Sequence, residues 1–143
     1  MKTIFKDITA RLDTVKSLKW VDEDKGQLNF ERPPVLFPCA LVDIQLPRPE
    51  NLNSKIQKSD LLITVRLAFD FGGNTSSITP VSARNKSLEY YDIVQEVYKA
   101  LQGWATTEIN PLERKGFHQE KRPDGYKVIA MPFASDFIDK SAV

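Results

Sequence analysis

The chain has 143 residues, with 20 Lys and Arg against 19 Asp and Glu, for a formal charge of +1. That length suits one domain over residues 1–143, able to bury about 70% of its unfolded surface without a disulfide or metal. The charge balance argues against a dedicated nucleic-acid binder, and the single cysteine, Cys39, rules out an intrachain disulfide and fits a reducing compartment.

Residues 2–16 read as a first helix, with Ile4, Phe5, Ile8, Leu12 and Val15 on one face and Thr3 as N-cap. The same segment lacks the long apolar core and small-residue cleavage site of a secretory signal. Residues 18–23 and 27–31 read as short strands around the turn Asp24-Lys25-Gly26, where Gly26 suits a positive φ. Residues 35–46 read as a longer strand, with Leu36, Ala40, Val42, Ile44 and Leu46 on one face and Cys39, Leu41 and Asp43 on the other. Pro38 cannot donate a ladder bond, so it belongs at an edge, a bulge or the strand's beginning.

Residues 59–70 give the cleanest alternation. Leu61, Ile63, Val65, Leu67 and Phe69 face one side, and Thr64, Arg66 and Asp70 the other. The loop from Gly72 to Lys86 is long and rich in Gly, Ser, Thr and Asn, a pattern that goes with function or disorder. Ser87 is placed to cap a second helix whose stripe is Leu88, Tyr91, Val94, Tyr98 and Leu101, and Gly103 to end it. Residues 112–120 and 126–133 read as a terminal hairpin around Arg122-Pro123-Asp124-Gly125, followed by a short mixed tail. No apolar run reaches the ~20 residues that span a bilayer, so a soluble intracellular protein with no membrane contact is expected. The expected fold class is α+β: a mixed or antiparallel sheet against one long and one short helix, with a terminal β-hairpin.

The chemical inventory is sparse. His118 is the only histidine, so a histidine triad or His-based metal site lacks partners, and a solvated strand histidine is the plainer reading. Cys39 lies in an apolar run and reads as a small buried hydrophobe rather than a nucleophile. Gly72-Gly73-Asn74-Thr75-Ser76-Ser77 follows a strand but lacks the phosphate-loop spacing and lysine, so it reads as a flexible loop. The carboxylates of Asp22, Glu23 and Asp24 alternate along a strand and turn, which points them apart rather than toward one cation.

Arg114, Lys115, Lys121, Arg122 and Lys127 flank the hairpin with Phe117 and Tyr126. Glu113, Glu120 and Asp124 interrupt them, so a mixed-charge surface outweighs a nucleic-acid strip. Tyr90, Tyr91, Tyr98 and Trp104 read chiefly as helix packing. No catalytic, cofactor-binding or metal residue is assigned. The segments offered for partner contact are Gly72, Gly73, Asn74, Thr75, Ser76 and Ser77 in one loop, and Arg48, Glu50 and Lys55 in the loop from Pro47 to Lys58.

The helix IFKDITARL, the turn KWVDEDKGQL and the strands PPVLFPCALVDI and LLITVRLAFD are followed by a soft loop, the helix YYDIVQEVYKALQGW and a hairpin ending in VIAMPF. This arrangement resembles the tail terminator, or tail completion, proteins of long-tailed bacteriophages and prophages, especially those of Bacteroides-type phages. The resemblance implies a virion protein acting without catalysis or cofactor. It would form a homo-oligomeric ring, a hexamer, that caps the tail tube, ends its polymerisation and offers a joining surface to the head–tail connector. DNA would pass through such a ring without sequence-specific binding, and assembly would take place in the host cytoplasm.

Two alternatives stand beside it. One is a head–tail connector or head completion protein of the same virion, which shares size and fold class. The other is a cytosolic α+β ligand-binding domain or enzyme, for which Asp43, Arg66 and Asp70 are the polar candidates.

Overall fold

The computed structural model describes residues 1–70 and 73–143. Helix α1 (Lys2–Asp13) is followed by strand β1 (Trp20–Glu23), a single 3-10 turn (Gln27–Asn29) and strand β2 (Cys39–Gln45). Strands β3 (Glu50–Asn51) and β4 (Gln57–Phe69) come next, then helices α2 (Val81–Ser87) and α3 (Tyr90–Leu101). Strands β5 (Glu113–Arg114), β6 (His118–Glu120) and β7 (Lys127–Asp139) complete the chain. The class is α+β. The sheet is mixed, because β1 pairs parallel with β2 while every other pair is antiparallel. Its order is β1-β2-β4-β7-β5, with β3 also on β4 and β6 also on β7.

The axis of the molecule is the β4–β7 pair, in register over the full 13 residues of each strand. The odd-numbered side chains of β4, Leu61, Ile63, Val65, Leu67 and Phe69, face the helices as the alternation requires. They meet Ile129, Met131, Phe133 and Phe137 of β7, Ile4, Ile8 and Leu12 of α1, and Val94, Val97 and Leu101 of α3 in one apolar cluster. A smaller cluster, Leu28, Cys39, Leu41, Ala68 and Val128, covers one end of the opposite face. Strand β2 therefore buries both faces, with Ala40 and Val42 on one side and Cys39 and Leu41 on the other.

Several sequence expectations are corrected. The first helix stops at Asp13 and starts from Met1, so Thr3 lies inside its first turn rather than at its cap. Residues 27–29 form a 3-10 turn, not a strand. The nearly buried Gln27 accepts from Lys25 N–H at 2.7 Å and donates to the Glu23 carbonyl at 2.9 Å, which curls the chain back on β1. Ser87 does not cap the second helix; it ends α2 and its hydroxyl donates to the Ala83 carbonyl at 2.9 Å.

The loop after β4 is consequently shorter than expected, since residues 81–87 are helical. Only Leu88 and Glu89 separate α2 from α3, and the two form one long helix bent there by i→i+3 bonds from Leu88, Glu89, Tyr91 and Asp92. The bend rotates the stripe, so Tyr90 and Val97 are buried while Tyr91 is 43% exposed.

Residues 134–139 are no mixed coil; they are the last six residues of β7, and only residues 140–143 lie beyond it. Pro132 sits mid-strand without breaking it. Its carbonyl accepts from Lys115 at 2.8 Å, so its missing N–H falls on the same outer side, in the gap between β5 and β6, and costs no bond to β4.

Candidate functional site

The two segments singled out for partner contact lie at opposite ends of β4. Twelve residue steps at about 3.3 Å put those ends roughly 40 Å apart. At the first end, residues 47–58 are a short hairpin rather than an open loop. Glu50 and Asn51 pair with Lys58 and Gln57, and Asn53 Oδ1 accepts from the N–H groups of Lys55 (2.8 Å) and Ile56 (2.9 Å) to close the turn. Arg48, at φ 56°, reaches Asp60 at 2.9 Å. Glu50 and Lys55 are exposed, and so is Leu52 at the turn.

At the other end, Gly73 (φ 61°), Asn74, Thr75, Ser76 and Ser77 lead into a turn in which Thr79 N–H donates to the Ser76 carbonyl at 3.1 Å. Asn74, Thr75, Ser76 and Ser77 are all exposed. Gly72 lies outside the described residues. Sequence reasoning passed over Ile78 here, which is 93% exposed, and the exposed Val81 three residues on. An isolated isoleucine among Ser, Thr and Pro was the available signal. A cleft of about 580 Å³ joins this loop to Lys86 of α2 and to Gly125 of the β6–β7 turn.

Between these ends, the polar face of the sheet holds its charges in a closed network. Arg66 on β4 donates to both oxygens of Glu120 (2.9 and 2.8 Å) and to Asp24 at 3.2 Å. Arg122 bonds Asp124 at 2.7 Å, Glu120 at 3.4 Å and the Leu28 carbonyl. The hydrogen bonds from Arg66 hold the Glu120 carboxyl below its ordinary range, and those from Arg122 do the same for Asp124. Glu120 in turn raises Arg66. The network ties the turn after β1, the 3-10 turn and the β6–β7 turn onto β4, and its carboxylates are already matched by guanidinium groups.

The candidates for an enzyme-like pocket do not converge. Arg66 is committed to that network, Asp43 accepts from Gln45 at 3.1 Å, and Asp70 lies beyond the end of β4. Asp22 and Asp24 point apart, Asp22 toward Lys25 and Gln27 and Asp24 toward Arg66. Among the described residues no group of three His, Cys, Asp or Glu side chains is arranged to hold a metal ion. Burial pushes the Cys39 thiol up to about 11, which keeps it protonated and unreactive at neutral pH.

Of the basic run near the hairpin, Lys121 is exposed, and the others contact neighbouring side chains. Arg114 stacks on Tyr98 at 4.0 Å, Lys127 sits over Tyr90 at 4.8 Å and Lys115 pairs with Glu113 at 2.8 Å. Among the described residues no helix is long and apolar enough to cross a membrane.

No family model and no curated protein matches the chain. Among solved structures, a chain described as "Virion of native gene transfer agent (GTA) particle" aligns with a TM-score of 0.47 at 12% identity, over 90% of this chain and 84% of that one. A TM-score of 0.47 does not establish a common fold.

Proposed function

We propose that this chain is a virion structural protein that acts by binding. More finely, we propose that it is a tail terminator: a ring, most simply a hexamer, that caps the tail tube and presents its far side to the head–tail connector. The family resemblance of the sequence motivates the reading. What supports it is that the two exposed segments offered for contact lie at opposite ends of one long strand pair, with no convergent chemical group between them among the described residues. A cap between two partners needs contacts on two opposed sides, and β4 and β7 hold these about 40 Å apart with the core behind them. On this reading the protein resides at the head-proximal end of the tail, after assembly in the host cytoplasm.

The test is genetic. A phage lacking this protein makes tails of irregular, excess length and leaves heads unjoined. Tails of normal length with heads attached would refute the proposal. Tails of normal length with unjoined heads would move the role to the connector side of the joint.

A further inference from the structure

At the level where β4 begins, the sheet is only three strands wide. Glu50, Lys58 and Ile138 form one row and Asn51, Gln57 and Asp139 the next. Among the described residues no strand pairs with either flank of this strip. In the hairpin Leu52 N–H donates to the Ile56 carbonyl, so Leu52 and Glu50 turn their backbone groups toward β4 and Asn51 turns its own outward. On β7 the Pro132 and Asp136 carbonyls accept from Lys115 and Asn110, on the side away from β4. The register of β7 is unbroken to Asp139, so Ile138 likewise presents N–H and C=O outward. Beside it lies a cleft of about 680 Å³ bounded by Asn110, Glu108 and Lys140.

Resting on the ring reading above, we infer that the free edge of β3 in one copy pairs with the free edge of β7 in the next, so that the sheet continues from subunit to subunit. Both strands run antiparallel to β4 and are therefore parallel to each other, as head-to-tail repetition by rotation requires. With Asn51 of one copy opposite Asp139 of the next, Asn51 N–H reaches the Ile138 carbonyl and its C=O the Lys140 N–H. The rows then meet without stagger, so the repeat closes rather than climbs.

The side chains match in the same register. Glu50 lies diagonal to Lys140 of the next copy, and exposed Leu52 lies diagonal to half-exposed Ile138. One chain carries both free edges in the same two rows, which selects a second copy as the occupant over an unrelated strand.

Cysteine pairing tests the interface. Within one copy Asn51 and Asp139 flank Gln57, about 9.6 Å apart and beyond the ~7 Å limit of a disulfide. Full-length Asn51→Cys and Asp139→Cys proteins are mixed with tail tubes, oxidised, and examined by non-reducing gel and electron microscopy. The expected result is several-fold more disulfide-linked dimer in the mixture than with either variant alone. Glu50→Lys or Lys140→Glu should reduce the linkage, and the two charge changes together should restore it. Rings without mixed linkage would overturn this interface and leave the ring reading standing. Linkage as strong with one variant alone would also overturn it, in favour of a two-fold contact. Absence of rings on the tubes would refute the ring reading itself, and this interface with it.

Discussion

Val65 lies at the centre of the sheet, between Val42 on β2 and Met131 on β7, with no exposed surface on any of the three. Val65→Ala deletes two buried methyl groups. Transfer alone is worth about 1.6 kcal/mol at about 0.8 kcal/mol per group. The neighbours are strands paired on both sides and cannot collapse freely, so a residual cavity raises the expected loss to about 2–3 kcal/mol. In urea, with a slope near 2 kcal/mol per molar, the midpoint falls by roughly 1 M at unchanged slope. Thr64→Ala, one residue away on the polar face, is the control and should stay within about 0.5 kcal/mol. A Val65→Ala change below about 0.3 kcal/mol, or a Thr64→Ala loss of equal size, would refute the assignment of the odd-numbered face to the core.

Glu120→Gln weakens the charge-assisted bonds to Arg66 and should cost about 1.5–3 kcal/mol at neutral pH. The Glu120 carboxyl is held below its unfolded value, so this contribution is present above about pH 4.5 and disappears as pH falls through the lowered folded value; acid titrations of the variant and the wild type should converge there. Cys39 should resist thiol reagents in the native protein and react fully in denaturant, and fast native labelling would contradict its burial. Amide hydrogens of residues 73–80 should exchange quickly in the free protein and slow down in the assembled particle; equal exchange in both states would reduce the segment to a linker.

What could be read in the sequence was the local periodicity. The alternation from Leu61 to Phe69, the Ile4, Ile8 and Leu12 stripe and the two faces of β2 were each set by side chains a few residues apart. Gly26, Gly103 and Gly125 all take the positive φ that their turns demand. What was hidden depended on distant partners. The parallel pairing of Trp20–Glu23 with Cys39–Val42 leaves no trace in either segment. Gln27 looked like a strand residue because its role is made by three side-chain hydrogen bonds to residues 22–25. The length of β7 was hidden past Phe133, where Ser135 and Asp136 interrupt the apolar alternation that Phe137 resumes. Of the contact segments, exposure was legible from composition at Asn74–Ser77. The free edges at Asn51 and Ile138 emerged only from the pairing register.

The central claim is that the protein caps a tube as a closed ring. Negative-stain electron microscopy of the purified protein, alone and mixed with tail tubes, tests it most directly. On the proposed ring reading, the expected result is rings of fixed subunit number on one end of each tube and arrested growth of the capped tubes. Bare tube ends that continue to elongate in excess protein would contradict it.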